Sequence, residues 1–208
     1  NAYGELGEHQ KAVDDLSMAI ELDPADAEAY YNRGNAYHLL GEYQKAIDDY
    51  SRAIELDPQL AKAYGNRGYA YDVLGEYQKA VDDLSMAIEL DPQLALAYNN
   101  RGNAYGELGE HQKAIDDYNR AIELDPGGAE AYYNRGLNAG ADLGEYQKAI
   151  DDFSRAIELD PGFAWAYNNR GLAYRSLGEY QKAIDDYNTA IELDPADAEA
   201  YYNRGYAY

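Results

Sequence analysis

The chain has 208 residues, and its 39 acidic and 17 basic side chains give a formal net charge of −22. This acid excess argues against a nucleic-acid-binding protein, which normally carries a basic surface. No stretch approaches the roughly 18 apolar residues of a membrane-spanning helix, so we expect neither nucleic acid nor a membrane as partner. Cysteine is absent, which excludes disulfides, thiolate metal sites and a cysteine nucleophile.

One segment recurs along the whole chain. Leu-Gly-Glu returns every 34 residues, with one interval of 35, and Asp-Pro closes each copy. A period of this length is typical of stacked repeat architectures. In chain order, the sequence predicts a partial repeat at 1–24, repeats 1 to 5 at 27–60, 61–94, 95–128, 129–163 and 164–197, and a partial repeat at 198–208.

Each full repeat predicts two amphipathic helices separated by Gly-Glu. In repeat 1 the small and aromatic residues have helical spacing in both halves, at Tyr30, Gly34 and Tyr37 and then at Ala46, Tyr50 and Ala53. Glycine inside a helix costs about 1 kcal/mol relative to alanine, so we expect each mid-helix glycine to let a second helix approach closely. These glycines are Gly34, Gly68, Gly102, Gly136, Gly171 and Gly205.

Repeat 4 contains the one extra residue. Gly140 lies where the other repeats have a tyrosine, and Gly127 and Gly128 precede the repeat. We predict a bulged or kinked first helix near 137–142 and the weakest join between neighbouring repeats there.

The recurring residues Tyr30, Gly34, Tyr37, Ala46, Tyr50, Ala53 and Pro58 resemble the tetratricopeptide repeat signature. The resemblance implies an all-α, right-handed superhelical solenoid of antiparallel helix pairs, whose first helices line a concave groove. It also implies a scaffold that binds protein or peptide partners and is not an enzyme. No phosphate-binding loop, nucleophile elbow or zinc motif is present, so we expect no cofactor, metal or catalytic residue.

Each first helix also carries an arginine where the family usually has an apolar residue. A helical wheel places it on the packing face, where an unpaired charge would be costly. We therefore predict that these arginines form structural ion pairs with aspartates of the second helices, in the same or an adjacent repeat. The arginines are Arg33, Arg67, Arg101, Arg135, Arg170 and Arg204, and the aspartates are Asp15, Asp49, Asp83, Asp117, Asp152 and Asp186.

An asparagine recurs on the opposite face of each first helix, which we expect to face the groove. The row consists of Asn32, Asn66, Asn100, Asn134, Asn169 and Asn203. A carboxamide has two donor hydrogens and an acceptor oxygen, so one hypothesis is a ladder that holds the main chain of an extended peptide. The alternative is that these amides bond locally or to water.

Variable residues beside this row would provide specificity. The candidates are Tyr31, Asn35, Tyr69, Asn99, Asn103, Tyr133, Trp165, Asn168 and Tyr202. Trp165 is either a ligand anchor, as tryptophan often is at interfaces, or packs against the preceding hairpin.

Two further hypotheses stay open beside the binding scaffold. Molecules could associate head to tail and continue the superhelix, or the chain could be the regulatory arm of a larger enzyme. The sequence leaves the compartment open, with a soluble, cytoplasmic protein as the expectation.

Overall fold

The computed structural model describes residues 2–142 and 144–208, which form twelve α-helices. They are α1 (Ala2–Leu22), α2 (Ala27–Leu39), α3 (Tyr43–Leu56), α4 (Ala61–Val73), α5 (Tyr77–Leu90), α6 (Ala95–Glu107), α7 (His111–Leu124), α8 (Ala129–Leu137), α9 (Tyr146–Leu159), α10 (Ala164–Ser176), α11 (Tyr180–Leu193) and α12 (Ala198–Ala207). The all-α stack of helix pairs that the sequence predicts is confirmed.

The helices belong to two compact units, Asn1–Leu108 and Gly109–Tyr208. Within each unit every helix packs against the next one in the chain. First helices of successive repeats also contact each other, as α2 does α4 and α10 does α12. In each unit the first helices therefore lie side by side.

Local sequence sets the ends of the helices. Gly41 ends the turn after α2 with φ at 75°, a left-handed conformation that glycine adopts without steric cost. The amide of Glu42 then donates to the carbonyl of Tyr37 at 2.8 Å and closes the helix end. At the start of α2, the carboxylate of Asp26 accepts from the amide of Ala29 at 3.1 Å. Turn residues thus divide each repeat into two helices.

Close helix approach at the mid-helix glycines is present in repeats 1, 2, 4 and 5. A Cβ at Gly34 would lie 2.7 Å from Tyr50 Cε1, and one at Gly68 would lie 2.7 Å from Leu84 Cγ. At Gly205 a Cβ would meet no described atom within 4 Å, so the expectation is not tested there.

Two local features depart from a regular repeat. The predicted bulge is confirmed, because the residues after α8 form a π-helix at Asn138–Asp142. There the amide of Glu145 donates to Ala139, six residues back, whereas that of Glu42 donates five residues back, so the π-turn accommodates the extra residue. The partial repeat at 1–24 has the same Leu-Gly-Glu as the full repeats, but α1 continues through Leu6 and Gly7 without a turn.

Candidate functional site

The arginines on the packing face bridge two second helices. In repeat 1 the Nε and Nη2 atoms of Arg33 donate to the two carboxylate oxygens of Asp49 at 2.7 and 2.8 Å. Its Nη1 donates to Ser17 Oγ in α1 at 3.1 Å. The predicted pairs Arg67–Asp83, Arg135–Asp152 and Arg170–Asp186 have the same two-pronged geometry. Because the aspartates are buried and fully bonded, these groups serve packing.

The partner on the preceding second helix was missed by sequence reasoning. The Nη1 atoms of the arginines donate to a serine or asparagine sixteen residues upstream: Ser17, Ser51, Ser85, Asn119, Ser154 and Asn188. A small polar residue recurring beside the apolar stripe of every second helix was the available signal. The hydrogen bond from the arginine to this residue links each hairpin to the one before it.

Four residues of the predicted set remain. Arg204 bonds to Asn188 at 2.7 Å. Asp15 makes no ion pair with an arginine among the described residues. Arg101 and Asp117 belong to different compact units, so their pairing stays a prediction.

The asparagine row occupies one face of the first helices, here called the groove face. Its members are not equally accessible. Asn32 is exposed and Asn66, Asn134 and Asn169 are half-buried, whereas Asn100 and Asn203 are only 7% and 5% exposed. The six amides therefore do not form a ladder of equivalent, exposed groups.

Side chains of the preceding repeat hold several of these amides. Asn66 Nδ2 donates to Asn35 Oδ1 at 2.8 Å and lies 3.3 Å from the Tyr31 hydroxyl. Asn169 Nδ2 donates to the Tyr133 hydroxyl at 3.0 Å and to the Trp165 carbonyl at 3.1 Å. These contacts use the donor hydrogens of Asn66 and Asn169. No donor among the described residues reaches their Oδ1 atoms, which stay available as acceptors.

The variable candidates divide into supporting and accessible residues. Asn99 and Asn168 are buried, and Asn168 accepts from Asn203 Nδ2 at 3.1 Å. Asn103 is half-buried. The accessible members are aromatic: Tyr69, Trp165 and Tyr202 are 37%, 63% and 66% exposed. The alternative that Trp165 packs against the preceding hairpin is therefore wrong. Its neighbour Phe163 packs there instead, with its ring 4.6 Å from that of Tyr133.

A small pocket opens beside Asn169 in the C-terminal unit. Its volume is about 190 Å³, and it is lined by Leu137, Gly140, Tyr146, Phe153, Asn169, Leu172, Ala173 and Ser176. The pocket combines apolar walls with one amide, which suits an apolar side chain whose main chain is hydrogen-bonded next to it.

The groove face of the N-terminal unit carries a carboxyl group, that of Asp72, whose charged form is disfavoured. Burial and the nearby charge of Glu107 raise the pKa of Asp72 from 3.8 to about 6. Its Oδ1 atom is buried without a partner among the described residues. Nearby, burial lowers the pKa of His38, whose ring lies 5.3 Å from that of Tyr69. A cationic group placed beside Asp72 would relieve its unfavourable charge.

Comparisons with known proteins agree with the geometry. The family model described as "Tetratricopeptide repeat" matches residues 27–60, 61–94 and 95–127, and the model described as "TPR repeat" matches residues 1–41, 138–174 and 171–208. The fold and these matches define a repeat protein of stacked helical hairpins. The chain belongs to the tetratricopeptide repeat family. A search of curated proteins found no match.

Solved structures of this family are similar over most of the chain. YrrB, a TPR protein with an unusual peptide-binding site, is 28% identical with a TM-score of 0.70, over 91% of this chain and 97% of that one. MamA is 32% identical with a TM-score of 0.70, over 83% and 94%. The first TPR of Spaghetti (RPAP3), bound to the HSP90 peptide SRMEEVD, is 30% identical with a TM-score of 0.54, over 56% and 92%.

Among residues 2–142 and 144–208, no helix combines the length and apolar character needed to cross a bilayer.

Proposed function

We propose that the protein is a non-catalytic scaffold that binds an extended peptide or a partner protein along its groove faces. The observation that carries this proposal is the fixed carboxamide of Asn169. Both of its donor hydrogens are used within the fold, so its oxygen is held ready to accept a peptide N–H. An acceptor that is already ordered loses little conformational entropy on binding.

Asn66 repeats this arrangement in the N-terminal unit, with its donors directed to Tyr31 and Asn35. Exposed Asn32 and half-buried Asn134 are further candidates, whereas buried Asn100 and Asn203 contribute support. The role differs from that of a full amide ladder, because the peptide would use its N–H groups here and not its carbonyls. In this arrangement Tyr31, Asn35, Tyr133 and Asn168 act as supports of the row.

Side-chain selection belongs to the accessible residues beside the row. The pocket next to Asn169 would accept an apolar side chain, and the open ring of Trp165 would cover it. The peptide-binding site of YrrB and the peptide bound to the first TPR of Spaghetti (RPAP3) support a peptide as the class of ligand.

The test is selection of binders from a random peptide library, followed by affinity measurements with one selected peptide. Asn169→Ala removes a single hydrogen bond and should weaken binding by about 2- to 12-fold. Trp165→Ala should weaken it by about 30-fold or more, as expected for an interface anchor. Gln181→Ala, on the exposed outer face of α11, is the control and should leave the affinity unchanged.

Circular dichroism of each variant verifies that the helices persist. The proposal fails if the library yields no binder, or if the folded Asn169→Ala and Trp165→Ala variants bind like the parent protein.

Self-association is a second candidate, favoured by the open surface of α12. Its tyrosines Tyr202, Tyr206 and Tyr208 are 66%, 71% and 85% exposed. A second copy stacking on α12 would cover this surface. Sedimentation at increasing concentration tests it, and a single monomeric species throughout would rule it out.

A further inference from the structure

Repeat 4 lacks an aromatic ring that repeats 1 and 5 hold between two cations. In repeat 1 the ring centroid of Tyr37 lies 5.9 Å from Arg33 Cζ and 5.2 Å from Lys45 Nζ. In repeat 5 the corresponding distances from Tyr174 are 5.9 Å to Arg170 and 5.1 Å to Lys182. Each tyrosine is thus placed for cation–π contact on both sides.

Repeat 4 keeps both cations, Arg135 and Lys148, but has Ala139 in place of the tyrosine, so the assignment of Gly140 to that place from the sequence is wrong. The backbone identifies this correspondence, because Glu145 donates to the carbonyl of Ala139 as Glu179 does to that of Tyr174. A cleft of about 340 Å³ opens between Arg135, Ala139 and Lys148, with Ile115 in its wall. A dry cavity of about 150 Å³ is sufficient to hold benzene.

The charges around this cleft favour a neutral ligand. Arg135 donates to both oxygens of Asp152, at 2.9 and 2.6 Å, and Lys148 donates to both oxygens of Glu145, at 2.9 and 2.8 Å. Each cation already has its carboxylate, and Asp151 adds a further negative charge. An anionic ligand would therefore be repelled, while the faces of a neutral ring can still contact the two cations.

We infer that this cleft is a binding site for a phenol ring, which would occupy the place of the missing tyrosine. The ring could come from a free phenolic molecule or from a tyrosine side chain of a partner protein. None of the residues named here belongs to the groove face, so the site is independent of the proposed peptide binding.

The test uses 4-fluorophenol and ligand-observed fluorine NMR. We expect line broadening that saturates, with a dissociation constant on the order of 1 mM, as a fragment of this size can reach. Replacing residues 137–143 (LNAGADL) by the sequence of residues 172–177 (LAYRSL) installs a tyrosine at 139 and should abolish the broadening.

Two point variants keep the inference testable if the segment replacement does not fold. Lys148→Ala removes one cationic face and should weaken binding several-fold. Lys182→Ala, beside the filled position of Tyr174, is the matched control and should leave 4-fluorophenol binding unchanged. An absent response, or a response that survives both the segment replacement and Lys148→Ala, overturns the inference.

Competition identifies the source of the ring. Displacement of 4-fluorophenol by the peptide Ac-Gly-Tyr-Gly-NH2, but not by Ac-Gly-Leu-Gly-NH2, supports a partner's tyrosine. Binding of 4-fluorophenol without displacement by either peptide supports a free phenolic ligand.

Discussion

Two buried tyrosines at equivalent positions have different hydrogen bonding. Tyr50 donates its hydroxyl proton to Asn35 Oδ1 at 2.9 Å. Tyr187 is also fully buried, but its hydroxyl has no partner among the described residues, because repeat 5 has Leu172 where repeat 1 has Asn35. Burial raises the pKa of Tyr187 to about 12. Repeat 4 resolves the same conflict with Phe153 opposite Leu137.

This difference predicts opposite effects of the same substitution. Tyr187→Phe should raise the free energy of unfolding by about 1 kcal/mol, because an unsatisfied buried hydroxyl is removed. Tyr50→Phe should lower it by about 1 kcal/mol, because the hydrogen bond from the Tyr50 hydroxyl to Asn35 is lost. Urea denaturation of both variants measures the effect, and equal shifts in the same direction would contradict it.

Asp72 predicts a pH dependence of stability. Its folded pKa of about 6 lies above the usual 3.8, so the folded state binds the proton more tightly. The contribution of Asp72 to the free energy of unfolding is largest at low pH and is lost as the pH rises between about 4 and 6. Asp72→Asn should therefore stabilise the protein near neutral pH, by about 1–2 kcal/mol after allowance for solvent screening.

The gain should shrink as the pH is lowered towards 5, and urea denaturation at about pH 5 and 7.5 measures it. Asp82→Asn, on the exposed outer face of α5, is the control. A gain independent of pH would show that Asp72 does not carry an unfavourable charge.

At the scale of helices, α4 contains two glycines with different surroundings. A Cβ at Gly68 would lie 2.7 Å from Leu84 Cγ and 3.3 Å from the Ala80 carbonyl oxygen. A Cβ at Gly65 would meet only Ala87 Cβ, at 3.9 Å, which is ordinary contact. The same residue type therefore has a packing role at one position and none at the other.

Alanine substitution should separate these roles. Gly68→Ala should destabilise the protein by about 1–3 kcal/mol through overpacking. Gly65→Ala should stabilise it by about 0.5–1 kcal/mol through helix propensity. Thermal unfolding of both variants tests this, and destabilisation by Gly65→Ala would mean that helix approach is close along all of α4.

For the whole molecule, most of the net charge lies on the second helices. The second helices and their ends carry five acidic residues in each repeat, including the exposed Asp82, and account for most of the net charge of −22. The first helices carry amide and aromatic groups on the groove face. Acidic surfaces of this kind favour solubility, while the groove faces carry few charges.

The sequence alone determined the repeat, the fold class and that arginines of the first helices pair with aspartates of the second helices, because helical periodicity specifies which face of a helix each residue occupies. It also located the bulge in repeat 4, since an extra residue must be accommodated where the spacing changes.

Only the tertiary structure decided how the groove face works. Whether an asparagine is open or buried, and where its donor hydrogens go, depends on side chains of the preceding repeat, such as Tyr133 for Asn169. The cleft at Ala139 likewise exists because two cations from different helices meet around a missing ring. Such outcomes depend on distances between helices, which the periodicity of a single helix does not specify.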